Sequence, residues 1–346
     1  MMKINKKILL ALIFFSSFFF LCINVGHLSV EAETTAFTVL PSFPENQVSD
    51  ATYFDLLVKE ETKETLTMIV QNTSDQTLEI EGSALNSYTT STGIIAYQKT
   101  ETAEKNQGYS FTRFIEPKQQ KIKLKPNEAK EVSFTLDLKK QKITGEILGV
   151  FSFDIVSDDT KESNKDTMIQ ARYVTQVGIR LRNGLTELPS PNLSLEKTEP
   201  IVKNDNAVIQ STIKNDQPTA FGGVKVQTTI YAKKNNKIVG EKKIENYQIA
   251  PNSTIPLITE LETKKLDPGD YTTHIEVSSS KGQWSFDDSF TVSKEEAKSI
   301  NQKTVYAQDD NKNLLVFLLV SFILVLLVII LWLTWKSHQS KKSQSE

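Results

Sequence analysis

The stretch IKLKPNEAKEVSFTLDL (Ile122–Leu138) alternates apolar and polar residues on both sides of a Pro-Asn break, and this period of two limits the fold more than any other feature. In its second half Val132, Phe134, Leu136 and Leu138 share one parity, and Ser133, Thr135 and Asp137 share the other. A strand with one buried face has this pattern, because successive side chains point to opposite sides. VKVQTTIY repeats it through Val224, Val226, Thr228 and Ile230, and YTTHIEV through Tyr271, Thr273, Ile275 and Val277. ILGVFSFDIV is apolar on both parities, as in a central strand covered on two faces. Only YSFTRFIEP reads as helical in this region, a single turn opened by Ser110 and closed before Pro117.

The Pro-Asn punctuation returns downstream in a fixed order. IVQNTSDQTLEI, LKPNEAKEV and ITGEILGVFSF are echoed by STIKNDQPTAF, IAPNSTIPL and LDPGDYTTHIEV. Pro126 precedes Gly145 by 19 residues and Pro251 precedes Gly269 by 18, whereas Asn72 to Pro126 is 54 and Asn215 to Pro251 is 36. The longer gap predicts an insertion in the first half, at TETAEKNQGYSFTRFIEPKQQ. About seven short strands per unit, with turns every 8–12 residues, predict an all-β fold of two tandem immunoglobulin-like β-sandwich domains. We place them at 35–186 and 192–292, joined by ELPSPNLS, whose two prolines favour a stiff, extended connection. Residues 293–313 read as a polar stalk with helical potential in its first half.

The ends of the chain carry different signals. Lys3, Lys6 and Lys7 precede the apolar run ILLALIFFSSFFFLCI, and Val30 and Ala32 are the small residues of a cleavage site. Residues 1–32 are therefore expected to be a signal peptide cut between Ala32 and Glu33. The sole cysteine, Cys22, lies inside it and follows Leu21, where lipid attachment would need a small residue. The mature chain then has no disulfide, thiol nucleophile or cysteine metal site. At the other end Leu314–Trp335 is 22 residues without a charge, about 33 Å of helix and enough to span a hydrocarbon core. Trp332 and Trp335 would sit at the interface, and Lys336, Lys341 and Lys342 place the tail 336–346 in the cytoplasm. The expectation is a single-pass protein of the cell membrane with an extracellular ectodomain. No LPxTG precedes the span; the nearest run is LPSPN, Leu188–Asn192.

Without three cationic residues at each end, and without Glu31 and Glu346, 34 Lys and Arg face 40 Asp and Glu. That balance argues against a nucleic-acid partner. The ectodomain has one histidine, His274, on the polar parity of its strand, where a solvated residue is expected. No Ser-His-Asp set or G-x-S-x-G can be assembled, so no catalytic, cofactor or metal residues are expected and the chain is read as a non-enzyme. SDDTKESNKD (Ser157–Asp166) reads as a wet hairpin tip, and Asp309–Asn313 as juxtamembrane solvation. Two aromatic residues are candidates for partner binding. Phe221 lies in TAFGGVKV, where paired glycines suggest a loop that exposes it. Trp284 shares a parity with Phe286, Phe290 and Val292, which favours the core, but Asp288 has the same parity, so a bulge is expected between them. Open sheet edges are a third possibility, since strand addition uses main-chain groups and leaves little side-chain signature.

The order of parts resembles the WxL-interacting proteins of Gram-positive bacteria. The first domain would carry YFDLLVKEETKETLTMIVQNTSDQTLEIE, IKLKPNEAKEVSFTLDL and ITGEILGVFSFDI, and the second YQIAPNSTIPLITELETKKLDPGDYTTHIEV. The resemblance implies a peptidoglycan-binding first domain, a host-binding second domain and association with WxL-domain surface proteins. It transfers no individual site residue. WLTW (Trp332–Trp335) is not the partner's W-x-L motif, since its residue order differs. The expected function is a membrane-anchored surface scaffold for WxL-domain proteins, with peptidoglycan and host matrix proteins as further partners. The alternatives are a chaperone-like protein that lends a strand during surface assembly, and a sensor or enzyme accessory subunit.

Overall fold

A computed structural model describes residues 36–99, 110–156, 173–184, 188–263, 265–305 and 317–332. The expected signal peptide with Ala32 and Glu33, the run 157–166, the span limits Leu314 and Trp335, and the tail lie outside them. The described chain is mostly β-sheet, in two sheet pairs.

In the first unit β1 (Phe37–Ser42), β3 (Lys63–Asn72), β8 (Ala129–Asp137) and β6 (Ile115–Glu116) form one sheet in the order β1-β3-β8-β6. The other contains β2 (Phe54–Leu57), β10 (Val174–Arg182), β9 (Glu146–Ile155), β4 (Leu78–Thr89) and β5 (Ile95–Gln98) in that order, with β7 (Gln119–Leu124) also pairing β4. Their facing parities close one core. Leu66, Met68, Phe134 and Leu136 from the first sheet meet Phe54, Ile80, Phe151 and Phe153 from the second. Phe134 and Phe151 stack at 4.6 Å across the two layers.

The second unit pairs β11 (Leu193–Lys203), β12 (Asn206–Asn215) and β15 (Thr254–Glu260) in one sheet. The other runs β14 (Lys237–Ile249), β13 (Phe221–Ala232), β16 (Gly269–Ser279), β17 (Gly282–Val292). The two topologies match strand for strand. β3 lies between β1 and β8 as β12 lies between β11 and β15, and β7-β4-β9-β10 corresponds to β14-β13-β16-β17. What the first unit adds is β2 and, between β4 and β7, the segment that holds β5, a 3-10 turn over Phe111–Phe114 and β6. That 3-10 turn is the single helical turn expected after Ser110, and Phe111 packs so closely on β9 that a Cβ at Gly149 would lie 2.2 Å from its ring.

The signposts that echo in the sequence correspond to one buried device. The Asn72 side-chain amide donates to the carbonyls of Gln76, Leu124 and Lys125, and its own N–H donates to Glu128 O. The Asn215 amide donates to the carbonyls of Thr219 and Ala250, and its N–H donates to Ser253 O. In each unit an asparagine at a strand end thus ties down the residue before a Pro-Asn turn. Asn127 and Asn252 take positive φ in those turns, 59° and 43°, which asparagine tolerates better than most residues.

The two units meet directly rather than across a stiff spacer, which corrects the expectation for ELPSPNLS. Leu188–Asn192 is irregular and is held to the second unit, where Thr219 Oγ1 donates to Pro189 O at 2.6 Å. Ala250 N donates to Thr89 Oγ1 at 3.0 Å, Thr89 Oγ1 lies 2.7 Å from Ser253 Oγ, and Ser253 Oγ donates to Ala250 O at 2.8 Å. This closed ring of hydrogen bonds crosses the junction. Beside it the buried Tyr247 donates to Thr90 O at 2.6 Å, and its ring lies so close to Gly93 (φ 83°) that a Cβ there would meet it at 2.4 Å. Farther along, Glu146 N donates to Pro218 O, and Glu146 Oε1 accepts from Ala220 N at 2.6 Å.

After β17 the chain turns into α1 (Lys294–Gln302). Ser293 caps it by accepting from Glu296 N, and Glu295 and Glu296 complement the positive end of its dipole. The helix docks on the second unit instead of standing free as a stalk. Ala297 is buried, and Asn301 brackets Leu266 by accepting from its N–H and donating to its carbonyl. Residues 317–332 are helical, with exposed apolar side chains from Phe317 to Trp332. Among the described residues no helix is long and apolar enough to cross a membrane.

Candidate functional site

Among the described residues no catalytic set is brought together. His274 lies on the outer face of β16, 2.8 Å from Asp287 Oδ1 and 3.6 Å from Glu276 Oε1. The bond to Asp287 holds its imidazole above its ordinary pKa, with Glu276 adding to the effect. Two carboxylates that stabilise an imidazolium on an open strand make an ion-pair ladder. Among the described residues no cluster of His, Cys, Asp or Glu could hold a metal ion.

The two aromatic candidates are neighbours, but not as surface residues. Phe221 begins β13, is 7% exposed and belongs to the core, which corrects its expected exposure in a loop. Its ring lies 6.0 Å from that of Trp284, tilted by 42°. The glycines that suggested a loop instead sit within the strand, where the pairing of β13 with β14 slips between Phe221 and Val224. Trp284 is half-buried against the same core. The expected bulge beside it does not exist, since β16 and β17 pair without a shift from Gly269–Val292 to Ser279–Gly282. Asp288 therefore faces inward with the aromatics.

Inside the second unit a band of buried polar side chains leads up to Asp288, whose Oδ1 accepts from Ser289 N at 2.8 Å. The apolar core is split into two clusters. Between them β12 places Ser211, β13 Thr228, β15 Thr259 and β16 Thr273, all buried, while β17 places Asp288 directly opposite Thr273. Thr198 of β11 adds a hydroxyl 3.3 Å from that of Ser211. Thr273 Oγ1 is fully buried without a hydrogen-bond partner among the described residues. Sequence periodicity marks these positions as inward, but alternation alone cannot show that they gather between the two apolar clusters.

The first unit offers a different surface. On the outer face of its larger sheet Tyr53, 38% exposed, lies over Gly178, with 3.3 Å between its Cβ and a Cβ built on the glycine. Tyr97 of β5 has its phenol raised by burial and then by nearby Tyr53. At one end of the unit Lys59, Glu60, Glu61, Lys142 and Asn183 line a cleft of about 350 Å³ with Val58 and Ile143.

Two family descriptions match this chain in tandem. Residues 37–154 match the WxL Interacting Protein peptidoglycan binding domain, and residues 164–302 match the WxL Interacting Protein host binding domain. The chain belongs to the WxL-interacting protein family. The second match takes in α1, in keeping with its docking on that unit. No curated protein matches the chain. Among solved structures it is similar to the class 5 fimbriae chaperone CfaA, at 14% identity over 73% of this chain and 98% of that one, with a TM-score of 0.29. A structure of a chaperone-tip adhesin complex of CFA/I fimbriae biogenesis scores 0.30, at 14% identity over 73% and 97%. The CupB2 chaperone of Pseudomonas aeruginosa scores 0.25, at 13% identity over 66% and 92%. At these scores the likeness carries no functional weight.

Proposed function

We propose that this WxL-interacting protein is a non-enzymatic, membrane-anchored scaffold of the cell surface. Its two immunoglobulin-like units divide the binding, the first holding peptidoglycan and the second holding host or surface-protein ligands, WxL-domain proteins among them. The tandem family match carries this reading, because the first match falls within the first sheet pair and the second takes in the whole of the second sheet pair, together with β10 of the first. The exposed Tyr53 ring supports it for the first unit, since a flat apolar ring with a polar tip suits the apolar face of a sugar. The charge-free run Leu314–Trp335 supplies the anchor, with the tail 336–346 inside. Tethering then confines both ligands to one layer, where modest pairwise affinities gain from high effective concentration.

The test is sedimentation of the purified chain with insoluble peptidoglycan, alongside capture of a purified WxL-domain protein. Tyr53→Ala should weaken peptidoglycan binding at least several-fold and leave WxL-protein capture unchanged. Peptidoglycan binding that persists when the first unit is deleted would overturn the division of labour. Failure to capture any WxL-domain protein would remove that partner.

A further inference from the structure

The sheet edges of the second unit are not equally protected. An exposed edge strand invites pairing with another chain, and proteins usually blunt it with lysine, proline or a bulge. β11 carries Lys197, Pro200, Lys203 and a bulge after Leu195. β15 carries Pro256, and β14 carries Lys237, Lys242 and Lys243 with several shifts of register. β17 has no lysine, proline or bulge, and its guard is of another kind: the inward charge of Asp288 disfavours any added strand that brings no cation to meet it. Its 11 residues contain no Lys, Arg or Pro, and its register to β16, its one partner in the sheet, is unbroken.

Its inward side is also incompletely covered. Trp284, Phe286 and Phe290 pack against the two core clusters yet stay only partly buried. Asp288 lies among them, opposite the buried, unpartnered hydroxyl of Thr273. The edge thus presents apolar sites interrupted by one acceptor-rich site. An ammonium or guanidinium group meets that site's chemistry, since it donates to the carboxylate, whose Oδ1 otherwise accepts from Ser289 N.

We propose that β17 is a docking edge for an extended segment of a partner protein, with apolar residues on alternate positions and one Lys or Arg facing Asp288. This deepens the partner-binding reading of the second unit and rests on it. Charge complementarity selects this occupant over a second copy of the chain. Antiparallel pairing of two β17 strands about their centre would set Asp287 directly against Asp287 of the copy and Asp288 diagonally across from the copy's Asp288, and like charges opposed across a strand pair repel. β11 of the other sheet runs beside β17 and would bound the groove, leaving the outer side of the edge as the approach.

The test uses the full chain in detergent micelles and a nine-residue capped peptide of alternating threonine and valine with lysine at its fourth position. Paired antiparallel, that lysine faces Asp288 while valines face Phe290, Phe286 and Trp284. Binding should slow amide hydrogen exchange within Gly282–Val292. Asp288→Lys should weaken it at least tenfold, and a peptide with glutamate in place of the lysine should recover affinity for that variant. Asp288→Asn, which keeps size and polarity, controls for folding and should give an intermediate loss. Protection confined to β11 or β14, affinity indifferent to the charge swap, or self-association through β17 without peptide would each overturn the proposal. None of these outcomes bears on peptidoglycan or WxL-protein binding, so failure here is distinguishable from failure of the broader reading.

Discussion

The side-chain amides of Asn72 and Asn215 hold corresponding main-chain partners in the two units, each donating to the carbonyl four residues ahead and to the one just before a Pro-Asn turn. Their Oδ1 atoms agree as well, accepting from Ser74 N and from Gln217 N, two residues on. Both side chains are fully buried. Truncation would leave carbonyls without donors in a place water cannot reach, at a cost of about 1–3 kcal/mol per group. Asn215→Ala is therefore expected to destabilise the second unit by about 2–4 kcal/mol and Asn72→Ala the first by at least as much. Urea denaturation followed by a probe in each unit checks this, and a loss that appears in the wrong unit would refute the assignment.

The hydrogen-bond ring of Thr89, Ser253 and Ala250 fixes how the units sit together. Thr89→Val keeps the shape of the side chain but removes the hydroxyl that accepts from Ala250 N and reaches Ser253 Oγ. A loss of about 1–3 kcal/mol is expected, because Ala250 N is left buried without an acceptor. Gly93→Ala attacks the same junction by shape, since its Cβ would overlap the Tyr247 ring. That variant should loosen the pair of units, read as an increased maximum dimension in small-angle scattering. Unchanged scattering with an unchanged melting temperature would show that the junction is dispensable.

The repeat was legible in the sequence because its signposts are residues with specific backbone roles. Asn72, Pro126-Asn127 and Gly145 recur as Asn215, Pro251-Asn252 and Gly269, and the strands they punctuate correspond in the structure. The junction was not legible. Thr89, Glu146 and Tyr247 are ordinary strand residues by pattern, and only the folded chain shows that they reach across to the other unit. Phe221 was misplaced for a related reason. Two glycines usually mark a loop, but here they lie within a strand whose pairing shifts around them. The inward Asp288 argued for a bulge, and its place directly opposite the buried Thr273 depends on the register of β16 with β17, which no single strand's alternation encodes.

His274 should give the stability a shallow pH dependence. Its pKa in the folded chain is raised by the bond to Asp287, while in the unfolded chain it returns to about 6.5. The protonated form is therefore favoured by folding. The contribution is complete below about pH 6.5 and is lost as pH rises through the higher folded value. The site is open to solvent, so the effect is less than about 1 kcal/mol and shrinks with salt. The difference in unfolding free energy between the native chain and His274→Gln, measured from pH 5 to 9, should fall towards zero at the alkaline end. A difference that grows with pH would mean that the neutral imidazole is the stabilised form.

Asn301 decides whether α1 belongs to the second unit or hangs below it. Its carboxamide makes two bonds to Leu266, accepting at 2.9 Å and donating at 2.8 Å, on the segment that leads into β16. Leu266 and Ala297 are buried in the same apolar cluster, so helix and sheet share a core as well as these bonds. Asn301→Ala should cost about 1–3 kcal/mol, because both main-chain groups of Leu266 lose their partner. Ser293→Ala should cost about 1 kcal/mol by removing the cap, without touching the docking surface. Hydrogen exchange separates the two effects. The cap variant should speed exchange chiefly in the first turn of α1, whereas the docking variant should speed it throughout Lys294–Gln302 and around Leu266. If Asn301→Ala left Leu266 protected, the helix would be an appendage, and the second unit would be complete at Val292.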